Sequence, residues 1–317
     1  MNLSMRRYEN EADFWRIRNF LREAWLFNDC REHCWHVAWL DYWRWHAIEN
    51  LQACGPLSEV VFIWETPSGE IAGVLHPEEA GDVYLQVHPR FRSEELEGAM
   101  LDAAEEHLAV WQDNAYTLYT WARADDTLRQ DLLKRRGYGQ GKWVTHVWRR
   151  DLDSPVLEAP LPEGYTIRSL GGLDDLPGRS LASWRGFHPD EPDGNYEGWE
   201  WYLNIQRCPL YRRDLDLVVE APGGEIAAFC IFWYDDATRS AYIEPVATVP
   251  QHQRRGLARA VITEGLRRVQ RLGAQRALVT GMEPGPNALY ASTLSPEHDR
   301  FEQWVRKWPV GTPDAAD

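Results

Sequence analysis

The chain of 317 residues exceeds the usual single domain of about 100–200 residues, and a composition 44% hydrophobic and 26% charged is that of a globular protein with two cores. Its 49 acidic against 34 basic side chains, a formal net charge of −15 at pH 7, argue against non-specific binding to nucleic acid and suit cationic small molecules. No apolar run approaches the roughly 18–20 residues that span a bilayer, and the opening Met1-Asn2-Leu3-Ser4-Met5-Arg6-Arg7 is no secretory signal, so a cytoplasmic protein with no membrane partner is expected.

In chain order, the first elements are helical and rich in tryptophan. Cys30 and Cys34, with His33 and His36 nearby, lack a second Cys/His pair at finger-like spacing. The five cysteines form an odd, sparse set that fits a reducing compartment, so neither a metal site nor a disulfide framework is expected. Trp35, Trp39 and Trp43 fall at i, i+4 and i+8, a helical stripe turned to the core. Residues 60–64 predict a strand, and Pro67-Ser68-Gly69-Glu70-Ile71-Ala72-Gly73-Val74 a glycine turn leading into its hairpin partner. A further strand over 83–89 ends at Pro89. An amphipathic helix over about 94–110 follows, and a strand over 142–152 closes the half.

A Pro-rich polar stretch, 153–161, reads as a linker between domains at 1–152 and 162–317. The second half then repeats the first. Residues 215–219 predict a strand, and Pro222-Gly223-Gly224-Glu225-Ile226-Ala227-Ala228-Phe229 restates the earlier turn-and-strand phrase half a chain later. A strand over 242–250 again ends at proline and an amphipathic helix over about 256–272 follows, with a closing strand over 300–308. Helices alternating with a mixed sheet make each half α/β.

The segment Val246 to Ala260 carries the most chemistry. A strand stops at Pro250, and Gly256 lets the main chain approach a ligand that any Cβ would obstruct. Free N–H groups of the loop and of the first helical turn suit a diphosphate, and Arg254, Arg255 and Arg259 supply charge of the right sign. Counting from each proline, Gly256 corresponds to Glu95 in the first half, where a carboxylate and a Cβ are both wrong for phosphate.

Gln253-Arg254-Arg255-Gly256-Leu257-Ala258 resembles the (Gln/Arg)-x-x-Gly-x-(Gly/Ala) motif of the GCN5-related N-acetyltransferases (GNAT). Pro286-Asn287-Ala288-Leu289-Tyr290-Ala291-Ser292 resembles the family's Asn-Ala-Leu-Tyr segment, departing from it where Thr293-Leu294-Ser295-Pro296 replaces Gly-Phe. The resemblance implies two tandem GNAT-like domains, each a mixed, mostly antiparallel twisted sheet flanked by helices. The plan is similar to that of tandem acetyltransferases of the mycothiol synthase kind, with a degenerate first copy. It further implies acetyl-CoA as co-substrate: Ala247, Thr248 and Val249 along its pantetheine arm, Arg254, Arg255, Gly256, Leu257, Ala258 and Arg259 at its pyrophosphate, Asn287 in contact with it, and Tyr290 beside the sulfur as proton donor.

An amine of pKa about 10.4 is only about 0.04% neutral at pH 7, so a nearby base is needed. Glu244, on the strand leading to the loop, is the candidate, and period-2 alternation puts it on one face with Val246 and Thr248. Residues 184–211 hold Trp184, Phe187, His188, Tyr196, Trp199, Trp201 and Tyr202 among five carboxylates, a composition for binding an organic cation or for packing a helix. The expected activity is acetyl transfer to a primary amine of a small acceptor. A protein acceptor, a non-catalytic acyl-CoA sensor and a homo-oligomer remain open.

Overall fold

The computed structural model describes residues 2–31 and 33–309. Residue 1 and residues 310–317, the outer ends of the two expected domains, lie outside them. The first half forms β1 (Ser4–Arg7), α1 (Glu11–Phe27), α2 (Val37–Tyr42), α3 (Leu57–Val60), β2 (Phe62–Glu65), β3 (Ile71–Glu79), β4 (Asp82–Val87), α4 (Glu94–His107), β5 (Val110–Gln112), β6 (Ala115–Arg123), α5 (Thr127–Arg135) and β7 (Gly139–Asp151). The second forms β8 (Thr166–Ser169), α6 (Leu176–Phe187), α7 (Tyr202–Ile205), β9 (Asp216–Glu220), β10 (Ile226–Asp235), β11 (Ser240–Thr248), α8 (Leu257–Arg271), β12 (Arg276–Gly281), α9 (Pro284–Thr293) and β13 (His298–Trp308). Among the described residues no helix is long and apolar enough to cross a membrane.

The described residues form two compact units: those of 2–43, 47–145 and 299–309 in the first, Arg44–His46 and His146–His298 in the second. The strand order in the first is β1-β2-β3-β4-β6-β13, with β5 on the side of β6; in the second it is β7-β12-β11-β10-β9-β8. Both sheets are mostly antiparallel, as expected. The parallel pairings are β4 with β6 and β11 with β12. The closing strands are exchanged. Residues of β13 pair with β6 of the first unit, from Phe301↔Arg123 to Trp308↔Tyr116. Residues 146–151 of β7 pair with β12 of the second. The stretch expected as a linker packs into the second unit: Val156 is buried in its core, and Gln270 Nε2 donates to the carbonyls of Leu152 and Ser154.

In the first unit α4 buries Met100, Leu101 and Ala104 against Phe62, Leu75 and Leu85 on one face of the sheet. Helices α1 and α2 cover the other face, where Phe14, Ile17, Leu21 and Leu40 meet Ile63 and Val74. A buried bidentate pair, Arg18 to Asp41, ties these two helices. The tryptophan stripe is not one regular helix. Trp35 precedes α2, Trp43 opens a π-helical turn, and both are buried while Trp39 is half-buried. In the second unit α8 lies on β10 so closely that a Cβ on Gly265 would overlap the Phe232 ring.

Gly265→Ala is therefore expected to lower stability by about 1–3 kcal/mol through overpacking. Gly98→Ala, in α4, adds a Cβ that meets nothing within 4 Å and is expected to gain up to about 1 kcal/mol from helix propensity. Urea unfolding of both variants beside the parent chain checks the two signs; equal midpoints would contradict the packing.

Candidate active site

Strands β11 and β12 pair only from Ser240↔Arg276 to Ile243↔Val279 and then part. The other edge of β11 stays on β10, through Cys230↔Val246, Phe229↔Ala247 and Ala228↔Thr248. Val249 N–H donates to Ala227 O, so by antiparallel alternation the main-chain groups of Val246 and Thr248 face the gap. Gln253 Nε2 reaches Thr248 O at 3.2 Å; among the described residues no side chain bonds the main chain of Val246. The gap thus presents an unused strand edge, which an extended amide-bearing ligand can pair with.

A bulge sits where the strands part. The register of β11 on β10 passes from Phe232↔Ile243 to Cys230↔Val246, so Glu244 and Pro245 together oppose Ile231. The period-2 count that put Glu244, Val246 and Thr248 on one face therefore does not run through this point. Glu244 is half-buried, and its main-chain carbonyl accepts from Trp233 Nε1.

The end of β11 runs into a turn at Pro250–His252, held by Tyr165 Oη on His252 Nδ1 at 2.9 Å and by Glu225 3.4 Å from His252 Nε2. Arg254 (φ 63°) and Gly256 (φ 80°) are then both left-handed. Glycine takes that region freely, whereas for an arginine it costs about 1–2 kcal/mol. Helix α8 starts from Gly256 with no side-chain cap and no acidic residue in its first turn. Gln253, Arg254, Arg255 and Gly256 are exposed. An open helix N-terminus behind a loop of arginines is a site for an anion. Arg255 donates to Gln251 O, and Arg259 donates to Ser292 Oγ and O, which ties α8 to α9.

The other wall is α9. A Cβ on Gly281 would meet Asn287 Oδ1 and the Tyr290 ring, so the absence of one lets α9 close on the end of β12. Both polar atoms of the Asn287 side chain are engaged inside the protein: Oδ1 accepts from Trp148 Nε1 at 2.8 Å and Nδ2 donates to Met282 O at 3.2 Å. Tyr290 is buried. Burial first, then the Glu244 carboxylate and the Cys230 thiol, push its phenol well above its ordinary value. The charge of Glu244, far away in sequence, is thus felt by Tyr290, and the phenol keeps its proton at neutral pH.

Residues 184–211 divide as follows. Tyr202 is core, donating its hydroxyl to Asp216 at 2.6 Å, and Trp201 Nε1 donates to Ser180 Oγ. Trp184 stacks on His188 at 4.0 Å, Phe187 is exposed, and Asp190, Glu191, Asp193, Glu197 and Glu200 are all exposed. A polar cluster that sequence reasoning missed lies beneath them. Arg179 is fully buried over the Phe229 ring, 3.7 Å from Asp216, which also accepts from Tyr211. No periodicity announces a buried arginine in a short helix.

The first unit has the same parting of strands but fills it. Strands β4 and β6 pair only at Asp82↔Tyr119 and Val83↔Thr120. Arg129 then spans the gap, with Nη2 on Leu85 O at 3.2 Å and Nη1 on Trp121 O at 3.5 Å. Cys34 Sγ donates to Val87 O, and Gln130 Nε2 to Arg123 O. Arg129 Nε is held by the buried Glu97, which also takes Arg92 Nε. Helix α4 is capped by Ser93 Oγ and carries Glu94, Glu95 and Glu97 in its first turn. Glu95, the counterpart of Gly256, is exposed there.

Residues 179–291 match the acetyltransferase (GNAT) family. The chain is 28% identical over 251 residues to a mycothiol acetyltransferase of Saccharopolyspora erythraea, covering 74% of this chain and 80% of that one. Among solved structures it is similar in fold to a GCN5-related N-acetyltransferase from Sphaerobacter thermophilus, with 19% identity, a TM-score of 0.65, and 99% and 98% of the two chains covered. A tandem GNAT protein from the clavulanic acid biosynthesis pathway also has a TM-score of 0.65, at 14% identity over 99% of this chain and 100% of that one. The stretch that matches the acetyltransferase (GNAT) family, residues 179–291, is thus the part of the second unit that holds the parted strands and the uncapped helix.

Proposed function

We propose that the second unit transfers an acetyl group from acetyl-CoA to a primary amine of a small acceptor. One observation carries this: the gap between β11 and β12 offers an unpaired strand edge that leads to an uncapped helix N-terminus, with Glu244 and Tyr290 beside it. The edge at 246–248, open at Val246 and closed at Thr248 O only by the Gln253 side chain, fits the amides of a pantetheine arm, and Arg254, Arg255, Leu257, Ala258 and Arg259 with Gly256 fit its diphosphate. Asn287 serves the site by fixing α9 rather than by a free contact. Similarity to proteins called mycothiol acetyltransferase supports a small molecule as acceptor.

Acetyl-CoA supplies the activated acetyl group. Glu244 takes the proton that keeps the amine unreactive, offsetting a cost of roughly 4–5 kcal/mol at pH 7. Tyr290 holds its proton at the sulfur where negative charge develops, and its raised pKa keeps it protonated throughout the neutral range. A cytoplasmic location fits this co-substrate. The first unit, its gap filled by Arg129, does not take part in binding it.

One acetyl-CoA per chain is expected in calorimetric titration, and Gly256→Glu should remove it. Two equivalent sites, or binding that survives the substitution, would sink the assignment to the second unit alone.

Tyr290→Phe should lower kcat by about 10²–10⁴-fold with little change in acetyl-CoA affinity. Because the phenol is raised, it loses its proton only above its ordinary range, so the parent enzyme should show no alkaline fall from this group up to about pH 10. An alkaline limb near pH 9 that vanishes in the variant would contradict this.

Glu244→Gln should keep acetyl-CoA binding and slow transfer most at neutral pH. The loss should shrink as rising pH supplies neutral amine, at roughly tenfold per unit below its pKa. The readout is amine-dependent release of free thiol. Parallel pH–rate profiles would remove Glu244 from the chemistry, and no release with any amine would leave a binding protein.

A further inference from the structure

Outside the filled gap of the first unit, where β4 ends at Val87 and β6 at Arg123, lies a cavity lined by Asn28, His33, Arg92, Arg123, Asp126 and Arg129. Its hydrogen-bonding capacity is lopsided. Both Asp126 oxygens are taken, Oδ1 by Arg92 and the Arg129 main chain and Oδ2 by Arg92. Arg129 has used all three guanidinium nitrogens. Arg123 is taken up by Asp125 and by His33.

Three donors are left over. Asn28 Nδ2 is shielded from solvent and has no acceptor. A guanidinium can only donate, so His33 Nε2 accepts from Arg123 Nη1 at 2.7 Å and the ring proton stands on Nδ1, which bonds no described group. Arg92 uses Nε and Nη2, leaving Nη1. Asp126, Glu97 and Asp125 are already committed to the three guanidinium groups, so three spare donors face a single remaining lone pair, on Asp126 Oδ2, and call for a ligand rich in acceptors, which an oxyanion supplies. A buried donor left unsatisfied costs about 1–3 kcal/mol, which such a ligand would recover.

We propose that this cavity binds a small oxyanion, a phosphate or carboxylate group held by Asn28, His33 and Arg92. The site is separate from the acetyl-transfer gap and does not depend on it. A bulky acyl-CoA is excluded because Arg129 blocks the way between the strands. His33 supports the assignment: burial first, then Arg123, Arg92 and Arg31, hold its pKa down to about 4, with Asp125 the opposing charge. A bound anion would raise it.

The test uses the full chain carrying Gly256→Glu, so that the α8 terminus cannot supply the anion site. Inorganic phosphate and acetate are titrated separately at constant ionic strength, by calorimetry and by the His33 ring resonances. Saturable binding of at least one is expected, with a rise of the His33 pKa by about one unit. Asn28→Leu, which leaves every ion pair in place, should weaken that binding roughly tenfold or more. His33→Phe should weaken it as well. The arm that binds identifies the source, tetrahedral or planar. Absence of saturable binding in both arms, or affinity unchanged in both variants, would overturn the proposal. Loss of acetyl-CoA binding in the same Gly256→Glu chain would leave it untouched.

Discussion

Two parallel strands that stop pairing leave main-chain N–H and C=O groups that must be satisfied some other way, because each buried orphan costs free energy comparable to a lost hydrogen bond. Everything distinctive in this protein follows from that demand, met twice. In the first unit Arg129, Cys34 and Gln130 meet it from within, placing donors on the carbonyls of Leu85, Trp121, Val87 and Arg123. In the second the edge at Val246 stays open, with the uncapped α8 at its end. The same geometry is a filled structural joint in one copy and an open groove in the other.

The helix that follows shows the same divergence in electrostatic form. Helix α4 answers its own N-terminal N–H groups with Ser93 and a first turn of glutamates, which the macrodipole favours. In α8 a left-handed glycine and flanking arginines leave the terminus positive and unanswered. The buried Glu97 cannot stand alone in that interior, and Arg92 and Arg129 hold its carboxyl below the ordinary range against the opposing effect of burial. Breaking the plug by removing either arginine would leave a buried carboxylate under-paired, so this copy is fixed in its closed form.

The order of strands and the two long helices were legible because period-2 and period-3.6 patterns, ended by Pro89 and Pro250, mark them directly. The arginine loop before α8 was legible because Gly256 and its arginines sit in sequence order at one turn. Strands β6 and β12 and helix α5 carry no comparable punctuation, and without them the parting of strands cannot be seen. Glu244 was found as a residue but not its setting, since a bulge breaks the alternation that sequence reasoning extends through it. Asn287 was expected at the coenzyme; its bond to Trp148 depends on a strand far away in the chain. Arg129 and Arg179 show a general limit, because an arginine in a helix looks solvent-facing until its partners are in place.

The pairing of β13 with β6 bears on how the protein comes off the ribosome. The sheet of the first unit lacks an edge until residues 299–308 have been synthesised, long after its other strands. Until then β6 presents unpaired main-chain groups from Tyr116 to Arg123, in a segment carrying Leu118 and Trp121. Such an edge is a template for another chain. Vectorial folding therefore completes this sheet only after the second unit has been made, and until then β6 keeps an adhesive flank that β13 comes to cover.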